Sequence, residues 1–416
     1  MRYKLGNNDY FAVVMAGTVL ETCLTVTLTF DEAIREADLK RAVQRTLHFF
    51  PLLKTRLIFD KEYYLETNPA PVVIRACSFE NRPLRIGRET NGYLWQLTYN
   101  QNRLTFDLFH ALTDGYGCIL FLSTIVNLYF QPDFQPGTIP DPDVLGYESL
   151  FDPSIRHFPG EKARKGFSRK DFPYAIRCSR YTLHELAVDK ELLLRKCKEL
   201  QLTPVSFLTP LFAKAIYENL PPDKDLAVRG MINVDGRRTA GVDTMHNFVL
   251  QKLIVYGRQE DGESLRAIGG RYRQELNDFK KEDHLIELST KMIRTTEWLY
   301  RKLPRCVSRR LAKVIAYVVK STRSNFVMTY WGTFPLAGES RITDLSVFSR
   351  PDMGGSTFSM IEINEAFHIT ISETFHDKRI LPAFIRLVQN EGVCLRYRKS
   401  WKNTAARLDT SILRIH

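Results

Sequence analysis

Leu108-Phe109-His110-Ala111-Leu112-Thr113-Asp114-Gly115 sets an imidazole four residues ahead of an Asp-Gly pair. An imidazole takes and returns a proton near neutral pH, because its ordinary pKa lies there. A carboxylate next to a glycine can lock the local backbone without touching a substrate. Residues 103–108 alternate and read as a strand, and residues 119–130 are largely apolar and read as a helix. A base at the end of a strand and ahead of a helix is where catalytic groups are commonly presented.

The pattern on both sides is mixed α and β. Residues 20–30 are rich in Thr and Val and predict a strand. Residues 36–47 carry apolar side chains at helical spacing, with Asp38 in the first turn, and Pro51 ends that helix and sends residues 52–59 extended. Residues 93–99 predict a strand joined to 103–108 by the Asn100-Gln101-Asn102 turn. Residues 131–173 hold seven prolines and the basic cluster Lys162-Ala163-Arg164-Lys165, the composition of a long crossover between two lobes. Beyond it come a strand at 180–186 and helices at 190–200 and 205–218, with Pro204 at the start of the second. Strands at 226–234 and 248–256 follow, then helices at 262–279, 285–300 and 307–320. The chain closes with strands at 326–330, 342–348, 357–363 and 367–373 and a helix at 380–396. No internal period is present.

Bulk properties narrow the function. A chain of 416 residues is too long for one ordinary core, and 44% hydrophobic residues is a globular composition. No apolar run approaches ~18 residues, which argues against a transmembrane helix. The N-terminus turns polar at Asn7-Asn8-Asp9, where a signal peptide would turn apolar. The seven cysteines include no Cys-x-x-Cys pair, so neither a metal site nor a disulfide framework is expected, and a reducing cytoplasm is. The net charge of +12 is spread along the chain, and nucleic acid is not expected as a partner. Gly-x-Ser-x-Gly and phosphate-loop signatures are absent, and Gly115-Tyr116-Gly117 lacks the third glycine of a dinucleotide fingerprint. His376-Asp377 reads as a turn. Residues 305–323 place Val307, Leu311, Val314, Ile315 and Val318 on one helical face and Arg309, Arg310, Lys313 and Lys320 on another. That is either a solvated surface helix or a dock for an anionic donor or a membrane surface.

Phe109-His110-Ala111-Leu112-Thr113-Asp114-Gly115 resembles the His-His-x-x-x-Asp-Gly motif of the chloramphenicol-acetyltransferase-like superfamily, which includes condensation domains, plant BAHD acyltransferases, alcohol acetyltransferases and polyketide-associated acyltransferases. The second His of the motif falls on His110; the first falls on Phe109 and departs from the pattern. Residues 37–57, 204–217, 231–238 with Met245-His246-Asn247-Phe248, and 327–332 resemble further segments of that family, with His246 in place of a Gly and Tyr330 in place of an Asn. The resemblance implies an α/β (α+β) fold of two lobes, each a mixed sheet flanked by helices, with a channel between them. The first lobe is expected over 1–165 and the second over 166–416.

It implies an acyltransferase that moves an acyl group from a thioester to a hydroxyl or amine. His110 is then the general base, with Asp114 and Gly115 completing the catalytic motif. Asp114 is expected to turn from the substrate and pair with Arg237 or Arg238, between which motif position does not choose. Asn247 gives structural support. Thr329, Ser356 and Thr357 are candidate oxyanion donors by residue type. Acyl-CoA or acyl-phosphopantetheine would be the co-substrate, with no permanent cofactor and no metal. The expected partner is a small-molecule acceptor, with an acyl carrier protein as the alternative to coenzyme A in carrying the donor, and the expected state is a monomer. Two alternatives stay open at this stage: a non-catalytic scaffold of the same fold, and a condensation enzyme that depends on carrier proteins.

Overall fold

The 93–108 hairpin forms as its sequence dictates. Leu97, Leu104, Phe106 and Leu108 bury one face of it, and Gln101 takes the left-handed φ of 51° that the tight turn needs. The structure is a computed structural model that describes residues 1–16, 23–77, 88–156, 180–222, 225–297, 307, 310–311, 314, 324–338, 341–349, 355–373 and 379–404. In chain order the strands are β1 (Arg2–Lys4), β2 (Cys23–Phe30), β3 (Thr55–Asp60), β4 (Glu62–Thr67), β5 (Ile74–Ala76), β6 (Trp95–Asn100), β7 (Arg103–Phe109) and β8 (Arg180–Asp189). They continue with β9 (Val228–Asp235), β10 (Val249–Tyr256), β11 (Phe326–Thr333), β12 (Ile342–Ser349), β13 (Ser356–Ile363), β14 (Ala366–Glu373) and β15 (Arg396–Thr404). The helices that matter below are α1 (Asn7–Met15), α2 (Glu36–Phe49), α3 (Gly115–Phe130), α4 (Lys190–Leu200) and α5 (Pro204–Tyr217).

The first lobe is built on a mixed five-stranded sheet in the order β12-β2-β7-β6-β5, parallel only between β5 and β6. Helices α2 and α3 cover it, and Phe121 of α3 packs on Trp95 and Phe106 with ring centroids 5.4 and 5.6 Å away. The second lobe has a mixed seven-stranded sheet, β10-β9-β11-β13-β14-β8-β15, with β11 parallel to both neighbours. Its strands alternate by face. Phe326, Met328, Phe358 and Met360 point into the core beneath α5, whereas Ile361 and Ile363 join the first lobe's core. A small antiparallel sheet, β1-β4-β3, flanks the first lobe.

The lobes are not simple halves of the chain. Strand β12, from the second half of the sequence, pairs antiparallel with β2 and completes the first sheet. The remaining differences from the sequence reading are local. Pro51 opens a 3-10 turn, Pro51–Lys54, before the chain extends, because a proline at the first position of a turn sacrifices no N–H bond. The closing helix stops at Asn390, Gly392 takes a φ of 81°, and residues 396–404 form edge strand β15. Helix α1 and strands β1, β4 and β5 are additions. The cluster at 162–165 and His376-Asp377 lie outside the described residues, as does most of 305–323. Within that last segment Val307 and Val314 are helical and 44% and 59% exposed. No helix among the described residues is long and apolar enough to cross a membrane.

Candidate active site

Strand β7 ends at Phe109, and Leu112 N–H bonds back to the Phe109 carbonyl at 3.0 Å, so residues 109–112 form a tight turn. Ala111, Leu112 and Thr113 are fully buried, and His110 is half-buried. Phe109 is itself fully buried in the first core. The position that departs from the two-histidine pattern is therefore held by packing.

Asp114 caps α3. Its Oδ1 accepts the N–H groups of Tyr116 and Gly117 at 3.0 and 3.4 Å. Its Oδ2 accepts Arg237 Nη2 at 2.7 Å and the Phe248 N–H at 2.9 Å. Asp114 thus ties the start of α3 to the β9–β10 connection of the other lobe and points away from solvent, with zero exposure. Arg237 is the partner that motif position left undecided; Arg238 is exposed. Four bonds hold the Arg237 guanidinium. It donates to Asp114, to Asp235 at 2.9 Å and to the carbonyls of Thr244 and His246 at 2.9 and 2.8 Å, and it stacks 4.7 Å over the Tyr116 ring. Burial works against its charge, but Asp114 and Asp235 together raise its pKa above the ordinary value.

Gly115 does not serve as a bend, because its φ is not in the left-handed region. A glycine is favoured there because the Trp331 ring lies 3.1 Å from where a Cβ would be. The next glycine is more tightly constrained: a Cβ on Gly117 would sit 2.0 Å from Thr113 Oγ1.

Asn247 meets His110 directly, its Nδ2 standing 2.8 Å from His110 Nδ1. Its amide oxygen accepts Asn8 Nδ2 at 3.1 Å and the Val249 N–H at 3.4 Å. Its backbone N–H bonds to Asp9 Oδ1 at 3.0 Å. Asp9, in the first turn of α1, also faces His246: Oδ2 is 2.5 Å from Nδ1, while Nε2 lies 2.8 Å from the Pro142 carbonyl. Both ring nitrogens of His246 thus face acceptors. Burial is the largest influence and pushes its pKa down, but the Asp9 charge and the hydrogen bonds from Asp9 and Pro142 push it further up. His246 replaces the glycine of the resembled motif with a buried ion pair between the lobes. Asn8, Asp9 and Tyr147 were not singled out from sequence. Asp9 carries a local signal, since it also accepts the Gly6 N–H at 3.1 Å as a helix-start acid does, but nothing in the sequence links it to His246.

The three oxyanion candidates separate. Ser356 shares the helix-covered face of β13 with Phe358 and Met360, and its Oγ is buried without a partner among the described residues. It points away from the seam between the lobes. Thr357 lies on the seam face, but its hydroxyl bonds to the Ser349 carbonyl at 3.0 Å. Thr329, on the face of β11 that also carries Trp331, receives Asn233 Nδ2 at 2.9 Å. No hydrogen bond among the described residues joins any of the three to His110. Among the described residues no group of three or more His, Cys, Asp or Glu is arranged to hold a metal ion.

No protein-family model and no curated protein sequence matches the chain. Solved structures do. A structure of F. sporotrichioides TRI101 complexed with coenzyme A and T-2 is similar over 95% of this chain and 99% of its own, with a TM-score of 0.60 at 11% identity. Polyketide synthase associated protein 5 from Mycobacterium tuberculosis is similar over 93% and 98%, with a TM-score of 0.62 at 13% identity. The epimerization domain from the third module of tyrocidine synthetase B covers 94% of this chain and 95% of its own, with a TM-score of 0.61 at 12% identity. At these identities the likeness speaks to architecture. The chain shares the two-lobed, mixed α/β fold of these structures.

Proposed function

We propose that this protein is an acyltransferase that moves an acyl group from a thioester to a hydroxyl or amine of a small-molecule acceptor, with His110 as the general base. The observation that carries the reading is the mounting of one imidazole. His110 is half-buried on a buried turn at the seam between the sheets, its Nδ1 is held by Asn247, and its Nε2 has no hydrogen-bond partner among the described residues. Nε2 would take the acceptor's proton as the oxygen or nitrogen attacks the thioester carbonyl. It would return that proton to the departing thiolate when the carbon–sulfur bond breaks. The thioester is already activated, so no covalent acyl-enzyme is needed. Asp114 and Arg237 fix the turn rather than the proton. Thr329 is the preferred oxyanion donor of the three candidates, because Thr357 has its proton committed and Ser356 faces the wrong side.

Coenzyme A thioesters are the proposed donors, which accords with the fold likeness to TRI101 structures solved with coenzyme A. The reaction is placed in the cytoplasm and in a monomer, with the lobes dividing near residue 165. To test the reading, His110→Ala is assayed with a panel of acyl-CoA donors. A loss of roughly 10²–10⁴-fold in turnover is expected for removal of a general base. Undiminished turnover removes His110 from the mechanism. Titration against a phosphopantetheinylated carrier protein and against the matching acyl-CoA separates the two donor types.

A further inference from the structure

We infer that Asn247 sets the tautomer of His110, and that the resting neutral ring keeps its proton on Nε2, the atom the proposed mechanism needs bare. The inference deepens the acyl-transfer reading and rests on it for its catalytic meaning, but its geometry stands alone. It follows from a chain of hydrogen bonds whose two ends are backbone groups of one residue, Val249. Tyr147 Oη donates to the Val249 carbonyl at 2.6 Å, which can only accept. The hydroxyl has one hydrogen, so toward Asn8, at 3.3 Å, it offers a lone pair and takes Asn8 Nδ2–H. The same Asn8 Nδ2 donates its second hydrogen to Asn247 Oδ1 at 3.1 Å. The Val249 N–H, which can only donate, points at that oxygen too, at 3.4 Å. Oxygen and nitrogen of the Asn247 amide are thereby told apart by their neighbours. Oδ1 faces Asn8 and Val249, and Nδ2 faces His110 Nδ1 at 2.8 Å. An amide nitrogen donates, so Nδ1 is the acceptor and carries no proton. In the neutral ring the proton then sits on Nε2.

This has a chemical consequence. With Nε2 protonated the ring is a donor toward the seam and has no lone pair there for an acceptor's proton. Base catalysis needs the Asn247 amide turned through about 180° about its last side-chain bond and the ring to give its Nε2 proton to water while taking one from water on Nδ1, so that Oδ1 accepts an Nδ1–H. Nε2 then takes the proton from the attacking hydroxyl or amine. The resulting imidazolium holds one hydrogen on each nitrogen, and the Nε2 hydrogen passes to the thiolate. The turn sets the amide nitrogen against the Asn8 amide and the Val249 N–H, so the resting network opposes it. Asn247 is on this view a positioning residue that switches His110 between a donor form and a base form, and Asn8 and Tyr147 bias the switch toward the donor form.

The test is nitrogen NMR of the full chain labelled at histidine, read above the pH at which His110 titrates and assigned with His110→Gln. Wild type is expected to show Nε2 protonated and Nδ1 bare. Asn247→Asp carries the weight, because a free imidazole already leans toward Nε2–H. A carboxylate only accepts, so this variant should reverse the signature to Nδ1–H. Tyr147→Phe should leave the fold intact and give a mixed signature. An Nδ1–H ring in the wild type, or an unchanged signature in Asn247→Asp, overturns the inference. The spectra do not depend on turnover. If the tautomers behave as stated while His110→Ala keeps full activity, the acyl-transfer role fails and the tautomer assignment stands.

Discussion

His110 is held from two sides by two kinds of chemistry. On the Asp114 side the support is ionic: a fully buried carboxylate, a buried guanidinium and three backbone N–H groups converge within 3.4 Å. On the Asn247 side the ring meets one neutral amide, which is backed by a second amide and a phenol. The ionic pin fixes where the turn lies, because a buried charge without its partner is costly in any other arrangement. The neutral relay fixes which ring atom holds a proton, because amides and hydroxyls present distinct donor and acceptor atoms without imposing a net charge. A carboxylate on Nδ1 would orient the ring as well, but it would add a charge beside it, which the neutral Asn247 amide does not.

The comparison is broken most severely at the pin. Arg237→Ala leaves the Asp114 carboxylate buried without its cation and is expected to cost about 3–5 kcal/mol in denaturant unfolding. A loss under about 1 kcal/mol would mean that the backbone N–H groups alone hold Asp114. Next is the charged pair behind the relay. Asp9→Asn removes the charge opposite His246 and leaves a single acceptor oxygen for the Gly6 N–H, the Asn247 N–H and the His246 ring, with an expected cost of about 1.5–3 kcal/mol at pH 6. The sign with pH is fixed by the raised pKa of His246. The stabilisation is fully present below the unfolded value near 6.5 and is lost as pH rises through the higher folded value, so the deficit of Asp9→Asn should shrink on going alkaline. A deficit that grows with pH contradicts an imidazolium at His246. Gly117→Ala drives a methyl into Thr113 Oγ1 and should cost about 1–3 kcal/mol, less what helix propensity returns. Thr113→Ala in the same chain should restore part of it, since that hydroxyl is buried without a partner among the described residues. The smallest effect sharpens the contrast within one dipeptide: Arg238→Ala, at an exposed position, should stay within about 0.5 kcal/mol of the wild type.

Much of the frame was legible in the sequence, and the reasons are local. Helix α4 is bounded by the Asp189 cap, whose side chain accepts Leu192 N–H at 2.8 Å, and α5 by a Thr203–Ser206 capping box with Pro204 at its first position. The 93–108 hairpin is fixed by alternation and a left-handed turn residue. The closing helix was read on to residue 396, past its end at Asn390, and strand β15 was not anticipated, because Arg396-Tyr397-Arg398-Lys399-Ser400 gives no apolar alternation, as befits a charged edge strand. Ser356 and Thr357 are neighbours of similar type, and only the packing of Phe358 and Met360 under α5 tells which of them faces the seam.

At the candidate site the division is sharper. His110, Asp114 and Gly115 stand in one turn, so short-range rules suffice to place a base, a helix cap and a glycine in order. Asn8 and Asp9 stand 239 and 237 residues before Asn247 and His246, Tyr147 stands 102 before Val249, and only the way α1 and the crossover pack against the β9–β10 connection brings them to the same site. The amino-acid order by itself decided the elements, the turn that carries the imidazole and the acid that caps the helix behind it, because those depend on neighbours along the chain. Which arginine meets that acid, and which nitrogen of His110 carries the hydrogen, was decided by the tertiary structure, because a hydrogen-bond network assigns its donors only when every partner is in place.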